Sequence, residues 1–297
     1  VYIQILYAAE SVKVNESNLQ VSIAQRDRGQ ELLNAGSIAK SDFAQLEAQV
    51  STDRYQLVTA QATLEDYKLQ LKQLLELDGE NEMNIYLPAL SDENVLAPLP
   101  TKKDVYISAL SLRPEIEASK LNVEASELGI GIAKSSYLPT ISLSAGIGTN
   151  HTSGSDFTFG EQVKNGWNNS IGLSVSVPIF NNRQTKSAVQ KAKLQYETSM
   201  LSLLDEQKAL YKTIESLWLD ANSAQQRYAA ANEKLKSTKI SYELISEQFN
   251  LGMKNTVELL TEKNNLLQAQ QEQLQAKYMA ILNTQLLKFY QGDQLAL

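Results

Sequence analysis

Apolar residues recur at helical spacing over most of this chain, as Val12, Leu19 and Ile23 do near its start. Stretches with few or no helix breakers predict long helices over about residues 1–33, 37–78, 183–251 and 253–291. At about 1.5 Å per residue, the third of these would extend roughly 100 Å. A shorter helix is predicted from Pro114 to Ser136, because proline is favoured in the first turn of a helix.

The composition of the long blocks indicates how the helices pack. Segments such as NNLLQAQQEQLQAKY (264–278) are rich in Ala, Gln and Asn, with isolated Leu and Tyr anchors. A compact bundle would have a fuller apolar stripe along each helix. We therefore expect coiled-coil or helical-barrel packing, in which helices lie side by side through small residues and another face meets water.

Two short segments break the helical pattern with a period of two. In TISLSAGIGT (140–149), apolar residues alternate with Ser and Gly, and SIGLSVSVPIF (170–180) continues the same alternation through Pro178 to Ile179. Each run is about 9–11 residues long, which is the length that a tilted β-strand needs to cross a bilayer. The polar, glycine-containing segment between them predicts a long exposed loop.

The two faces of this predicted strand pair favour membrane strands. A soluble hairpin with one face on a core, which stays an alternative, would carry Lys, Glu and Thr on its solvent face. Two strands alone leave unpaired edges in lipid, so further strands must close a barrel. We expect Ile141, Leu143, Ile171, Leu173 and Val175 to face lipid, Ser142, Ser144, Ser174 and Ser176 to face a lumen, and Tyr137, Trp167 and Phe180 to lie at the membrane interfaces.

The chain also repeats itself at an interval of 216 residues. LNAGSIAKSDF (33–43) aligns with FNLGMKNTVEL (249–259), so that two Asn-x-Gly turns coincide. An acidic residue follows each glycine by six positions, at Asp42 and at Glu258. A fixed period of this kind predicts two related helical hairpins.

Charge and composition exclude several classes of function. The net charge is −7 and no Lys/Arg-rich run is present, which argues against nucleic-acid binding. There is no cysteine, and His151, the single histidine, has no second ligand at metal spacing. The sequence contains no run of about 18 apolar residues, which a transmembrane helix would require. We expect no enzyme, no catalytic residue, no metal and no cofactor.

Three segments, taken in order and with their spacing, resemble the second half of TolC-type outer-membrane efflux proteins. They are RPEIEASKLNVEASELGIGIAKSSYLPTISLSAGIG (113–148), VSVPIFNNRQTKSAVQKAKLQYE (175–197) and FNLGMKNTVELLTEKNNLLQAQQEQL (249–274). The resemblance implies a mainly α fold, with long antiparallel helices of an α-helical barrel and a two-strand contribution to a transmembrane β-barrel. It further implies a homotrimer in the bacterial outer membrane that extends into the periplasm. Such a trimer is a passive channel that serves a periplasmic adaptor and an inner-membrane pump, in efflux or type I secretion.

The same resemblance divides the chain into five parts. Residues 1–77 are expected to form the first-repeat hairpin of the periplasmic tunnel, 78–112 an irregular equatorial connector, 113–136 a helix leading to the membrane, 137–180 the strand pair with its loop, and 181–297 the second-repeat hairpin with a C-terminal equatorial end. Val1 aligns with Leu217, inside the long second-repeat helix, so we expect an N-terminal part to be missing. We also expect that these 297 residues alone do not form the intact channel. The alternative is a coiled-coil periplasmic adaptor or structural protein without a channel of its own.

The resemblance places a gate at the two Asn-x-Gly turns, which correspond to the periplasmic tip. Asp42 and Lys254 have opposite charges and belong to different repeats, so we expect them to bridge adjacent hairpins. Phe249 and Thr261 stand where the family often has a tyrosine and an acid, which implies weaker or less cation-selective closure. The expected tip residues are Gly36, Asp42, Phe249, Gly252, Lys254 and Glu258.

Overall fold

Long helices and one pair of strands make up the part of the chain that the structure, a computed structural model, describes: residues 1–77, 85–86 and 95–293. The helices are α1 (Tyr2–Asn34), α2 (Lys40–Leu74), α3 (Lys102–Leu112), α4 (Pro114–Ser135), α5 (Phe159–Asn165), α6 (Gln184–Asn250) and α7 (Thr256–Gln291), and the strands are β1 (Thr140–Gly148) and β2 (Asn168–Ser176). The predicted long helices are confirmed, and α6 alone contains 67 residues. The mainly α fold class with a two-stranded sheet is confirmed as well.

The chain divides into two units. One consists of Val1–Leu112 and Leu210–Leu297, and the other of Arg113–Ala209. The division at 112/113 coincides with a predicted boundary. The predicted second-repeat region, 181–297, is shared between the two units, because α6 continues through position 209. None of the helices described is both long enough and apolar enough to span a membrane.

The core of the first unit lies between α1, α6 and α7. Leu6, Tyr228, Leu274 and Tyr278 are buried together there. The ring of Tyr278 meets that of Tyr7 edge to face, with centroids 6.2 Å apart. Burial raises the pKa of Tyr278 above its ordinary value, so the ring stays neutral in the core. The anchors are few and large, as the sparse Leu and Tyr pattern predicts.

A glycine inside α1 allows α2 to approach closely. Gly29 is buried in the middle of a helical turn, and a Cβ at this position would overlap Cδ1 of Leu46. Leu46 is itself buried, with 1% of its surface exposed. The contact therefore requires the absence of a side chain at position 29, although glycine lowers helix propensity.

Residues 102–112 form α3, whereas the sequence analysis assigned all of 78–112 to an irregular connector. The hydroxyl of Thr101 accepts a hydrogen bond from the Asp104 N–H at 3.2 Å and donates to the Asp104 carboxylate at 2.7 Å, which caps the start of the helix. Val105 and Ala109, one turn apart, are buried on its inner face. Pro98 and Pro100 come directly before this cap, and such prolines favour an irregular segment over the start of a helix. Residues 78–84 and 87–94 of the predicted connector lie outside the described residues.

The residues just before α3 lie along α6. Trp218 Nε1 donates to the Pro100 carbonyl at 2.9 Å, and Gln225 Nε2 donates to the Val95 carbonyl at 2.9 Å. The ammonium group of Lys102 lies 4.9 Å from the centre of the Trp218 ring, a cation–π contact. Side chains of one helix thus donate hydrogen bonds to backbone carbonyls of the segment before α3.

The second unit contains the antiparallel pair β1–β2, in which Ile141 lies opposite Val175 and Leu143 opposite Leu173. β2 ends at Ser176, so residues 177–180 do not belong to the strand, contrary to the prediction of a strand to Phe180. Pro178 accounts for the difference, because proline has no N–H to donate to a strand ladder.

The predicted loop between the strands contains α5, which the sequence analysis missed. Both the N–H and the hydroxyl of Thr158 donate to the carboxylate of Glu161, at 2.9 and 2.7 Å. These bonds, the hydroxyl one first, lower the pKa of Glu161. Thr158-x-x-Glu161 is a capping-box sequence, so the signal for this helix was present.

Candidate functional site

The strand pair has two chemically different faces. Directly opposed residues of an antiparallel pair share a face, so Ile141 and Val175 lie together, as do Leu143 and Leu173. Ile171 lies on the same face, opposite Ala145. The structure thus brings the five residues predicted to face lipid onto one surface, where 59–83% of each residue is exposed. That lipid covers this surface stays a prediction.

The other face carries the four serines predicted to face a lumen. Ser142 lies opposite Ser174, and Ser176 opposite Thr140. Ser144 lies opposite Gly172, and its hydroxyl donates to the Gly172 carbonyl at 3.3 Å. A Cβ at Gly172 would lie 2.9 Å from this hydroxyl oxygen. Because a serine lies opposite a glycine, which has no side chain, this face stays flat and polar.

Aromatic residues stand at both ends of the strand pair. Tyr137 follows α4 and precedes β1, Phe180 lies beyond the end of β2, and Trp167 directly precedes β2 at the opposite end. All three are exposed, Phe180 by 86%. Their position is that of interfacial aromatic residues, and this role stays a prediction.

The two Asn-x-Gly turns are built from the same hydrogen bonds. In each, the N–H of the glycine donates to the carbonyl three residues earlier, and the next N–H donates to the carbonyl five residues earlier, at 2.8–3.0 Å. Gly36 and Gly252 have φ angles of +72° and +76°. This left-handed conformation closes a helix C-terminus and favours glycine. The 216-residue repeat is therefore present in the backbone as well as in the sequence.

The acids that follow these turns cap the next helix. The carboxylate of Asp42 accepts a hydrogen bond from the N–H of Ala39, at the start of α2 (3.3 Å). The carboxylate of Glu258 accepts one from the N–H of Asn255 at 3.1 Å, and the Asn255 side chain accepts one from the Glu258 N–H at 2.9 Å, a complete capping box at the start of α7. Their role in the chain is thus to begin helices.

Within the chain, the ion pair at the tip differs from the expected one. Lys254 pairs with Glu258, one turn away on the same repeat, at 2.5 Å, and not with Asp42. The hydrogen bond from Lys254, followed by that from the Asn255 N–H, lowers the pKa of Glu258. Sequence spacing explains why Lys254 pairs with Glu258: residues four apart lie on the same side of a helical turn, so the two side chains meet within one repeat.

Phe249, one of the expected tip residues, is buried. Only 3% of its surface is exposed, so it packs inside its unit, two residues before the start of the second turn. Its neighbour Asn250 ends α6. Position 249 thus contributes apolar packing beneath the tip.

A buried polar cluster joins three helices, and sequence reasoning missed it entirely. Lys263 on α7 donates to Asp53 on α2 and to the hydroxyl of Ser22 on α1, and that hydroxyl donates to Asp53. At most 2% of each of the three residues is exposed. A serine beside a lysine can act as a nucleophile in hydrolases, but these side chains are too deeply buried to meet a substrate. Each residue belongs to a polar stretch of helix, so nothing in the sequence marks it as buried.

The single histidine takes part in the structure of the loop. His151 Nδ1 lies 3.0 Å from Oε1 of Gln162, and its ring contacts that of Phe159. Among the described residues, no group of three or more His, Cys, Asp or Glu side chains is placed to hold a metal ion.

The family model described as "Outer membrane efflux protein" matches residues 105–292, well over half of the chain. The chain belongs to the outer membrane efflux protein family. This family consists of efflux channels, which are not enzymes. The matched range begins in α3 and includes the strand pair, all of α6 and the turn at Gly252.

Characterised family members share low sequence identity with this chain over most of its length. The chain is 25% identical over 283 residues to the outer membrane efflux protein BepC of Brucella suis, covering 95% of this chain and 59% of BepC. It is 24% identical over 291 residues to the outer membrane protein TolC of Escherichia coli K12, covering 95% of this chain and 58% of TolC. The chain thus spans less than two thirds of the length of these relatives.

A crystal structure of CusC has the same fold over nearly the whole chain. The superposition has a TM-score of 0.80 at 18% sequence identity, and covers 99% of this chain and 66% of CusC. Identity at this level supports the fold and does not by itself identify a substrate or partner.

Proposed function

We propose that this chain is part of an outer-membrane channel, the exit duct of a tripartite efflux or type I secretion system. In this proposal the channel is a homotrimer that spans the outer membrane and extends into the periplasm. It conducts passively, and a periplasmic adaptor with an inner-membrane pump supplies the energy and selects the substrate. Membership of the outer membrane efflux protein family supports the proposal.

The observation that carries the proposal is the strand pair. Its exposed aliphatic face, with Leu143 and Leu173 at its centre, suits hydrocarbon, while the face of Ser142, Ser144 and Ser174 suits a water-filled lumen. A single hairpin leaves its outer edges unpaired, and in lipid these need strands from other parts of the channel. Three protomers, each with its remaining residues, would supply them.

Cysteine labelling tests this assignment directly, because the chain has no cysteine of its own. In outer membranes that contain the full-length protein, Leu143→Cys and Ser144→Cys are treated with a membrane-impermeant maleimide. Adjacent strand residues point to opposite faces, so Ser144→Cys should react and Leu143→Cys should be protected until detergent is added. Equal reactivity at both positions would contradict the proposal and favour a soluble hairpin.

Transport is tested in cells. The full-length gene should restore drug resistance to a strain that lacks its own outer membrane efflux protein, provided that a matching adaptor and pump are present. Leu143→Arg should abolish this complementation by impairing membrane insertion, because a charge near the bilayer midplane costs about 2–4 kcal/mol on a lipid-facing strand position. Ser144→Arg should leave the protein in the membrane, with altered conductance.

We propose further that the tip of the channel lies at the turns of Gly36 and Gly252. The identical hydrogen bonding of the turns supports this, since equivalent helix ends of two repeats are expected at the same level of a repeated structure. In this role, Lys254 and Glu258 act as one ion-paired unit and Asp42 acts separately.

A further inference from the structure

In the buried cluster of Ser22, Asp53 and Lys263, every side-chain oxygen has a hydrogen-bond partner. One carboxylate oxygen of Asp53 accepts from both Ser22 and Lys263, and the other accepts from Gln49 Nε2 at 2.9 Å. The Ser22 hydroxyl accepts from Lys263 and donates to Asp53, which uses both capacities of a hydroxyl group. The cluster is thus a closed network, in which each charge depends on partners from other helices.

The cluster is absent from the other copy of the repeat. The position 216 residues before Lys263 is Glu47, which is exposed. The equivalent of Asp53 is Ala269, which is fully buried, and the equivalent of Ser22 is Thr238, whose hydroxyl donates to the carbonyl of Lys234 in its own helix. The network therefore belongs to one interface, where α7 meets the α1–α2 hairpin, and not to the repeated unit.

The contacts around the cluster specify register weakly. Gln49 Nε2 lies 3.5 Å from Asn264 Oδ1, and Gln25 Nε2 donates to the Tyr242 hydroxyl at 2.8 Å. Neutral amide side chains of this kind find new partners when one helix slides along another. A buried charged pair does not, because sliding leaves each charge buried without a partner.

We propose that Ser22, Asp53 and Lys263 lock the axial register of the α6–α7 hairpin against the α1–α2 hairpin. A slide by one helical turn, about 5.4 Å, would separate the ammonium group from the carboxylate. A single buried polar residue fixes register in coiled coils in the same way. Since the two Asn-x-Gly turns end these hairpins, the lock also fixes their relative height. The proposal concerns the fold of the chain and does not depend on a transport function.

Cross-linking with a short bifunctional thiol reagent in the full-length protein measures the register. Gln25→Cys on α1, which lies outside the network, is combined in turn with Tyr242→Cys, its native neighbour, and with Ser246→Cys, one turn further along α6. A protease site inserted in the loop at residues 152–156 lets a gel show whether the two halves of the chain are joined. With the cluster intact, the 25–242 link should form and the 25–246 link should not.

The decisive variant replaces the cluster by apolar residues, Ser22→Ala, Asp53→Leu and Lys263→Met. It should form the shifted 25–246 link in an amount similar to the native 25–242 link. As a matched control, Lys234→Met with Glu272→Leu removes an exposed ion pair of 2.6 Å inside the α6–α7 hairpin, and should leave the native link alone.

A native link alone in the apolar variant would overturn the proposal. If that variant does not accumulate in the membrane, the single variant Lys263→Met is compared with the exchange Asp53→Lys/Lys263→Asp. The single variant should show both links, and the exchange should return the native link alone. The reverse result, or no difference between the two, would also overturn the proposal.

Discussion

Asp42 and Glu258 make the same contact in two copies of one turn: each carboxylate accepts a hydrogen bond from the backbone N–H three residues before it. Only Glu258 also has a lysine within reach, at 2.5 Å. Both acids therefore cap a helix, and Glu258 in addition forms an ion pair with Lys254. This difference determines how substitutions at the tip should combine.

The first prediction concerns conductance of the full-length channel. Lys254→Ala, Glu258→Gln and their double variant should raise single-channel conductance in planar bilayers to a similar extent, because any of them removes the same ion pair while glutamine at 258 keeps the capping bond to the Asn255 N–H. Asp42→Ala should add its own effect to each, since it caps a different helix. Lys236→Ala, an exposed position on α6, is the control. A strong interdependence of Asp42 and Lys254 would instead indicate a bridge between hairpins.

The second prediction is a pH dependence at Glu258, whose pKa lies below its ordinary value of 4.5. A lowered pKa of an acid means that the folded state favours the charged form. Its contribution to stability is therefore complete above pH 4.5 and is lost as the pH falls through the lowered pKa. The thermal midpoints of wild type and Glu258→Gln should differ near neutral pH and converge in acid. A difference that does not change with pH would contradict this.

The third prediction concerns Gly29. Gly29→Ala should lower the free energy of unfolding, because overlap of the added methyl group with Leu46 costs about 1–3 kcal/mol, more than the about 0.5–1 kcal/mol gained in helix propensity. Gly131→Ala is the matched control, since Gly131 is also helical but has no atom within 4 Å of its would-be Cβ. That control should be stabilised by about 0.5–1 kcal/mol through helix propensity alone. Denaturant titration measures both, and equal effects would refute the packing argument.

The fourth prediction concerns the loop between the strands. Gln162 Nε2 donates to the Phe157 carbonyl, while its Oε1 accepts from the Thr152 N–H, each at 2.8 Å. Oε1 is then an acceptor toward His151, which must carry its proton on Nδ1. Gln162→Leu should therefore speed hydrogen exchange across residues 150–158, whereas Lys164→Leu on the same helix should not. Equal exchange in both variants would show that the amide does not hold the loop.

The sequence predicts those parts of the fold that local patterns control. The long helices follow from the absence of breakers, the strands from alternation, and the two turns from glycines at equivalent positions. Helix α5 was missed although Thr158 and Glu161 form a recognisable cap. The end of β2 was placed too far along because the proline at 178 received too little weight.

The same local patterns do not predict which residues of distant segments contact each other. Asp53 and Lys263 are 210 residues apart, and each looks like an ordinary solvated charge in its own helix. Opposite charge predicts that Asp42 meets Lys254 on an adjacent hairpin, whereas within the chain Lys254 pairs with Glu258. Which charges meet depends on helix rotation and register, and periodicity within one segment does not determine either.

The near-identity of the two turns has a consequence for symmetry. In a trimer, two turns per protomer give a ring of six turns whose backbones are nearly equivalent. Their side chains are not, because the residue in register with Lys254 is Ile38. Turns that carry the Lys254–Glu258 ion pair and turns that carry Ile38 and Asp42 would alternate around the ring, so the backbone would have sixfold geometry and the charge only threefold. Any molecule that approaches the ring end-on would meet two kinds of docking position on one scaffold.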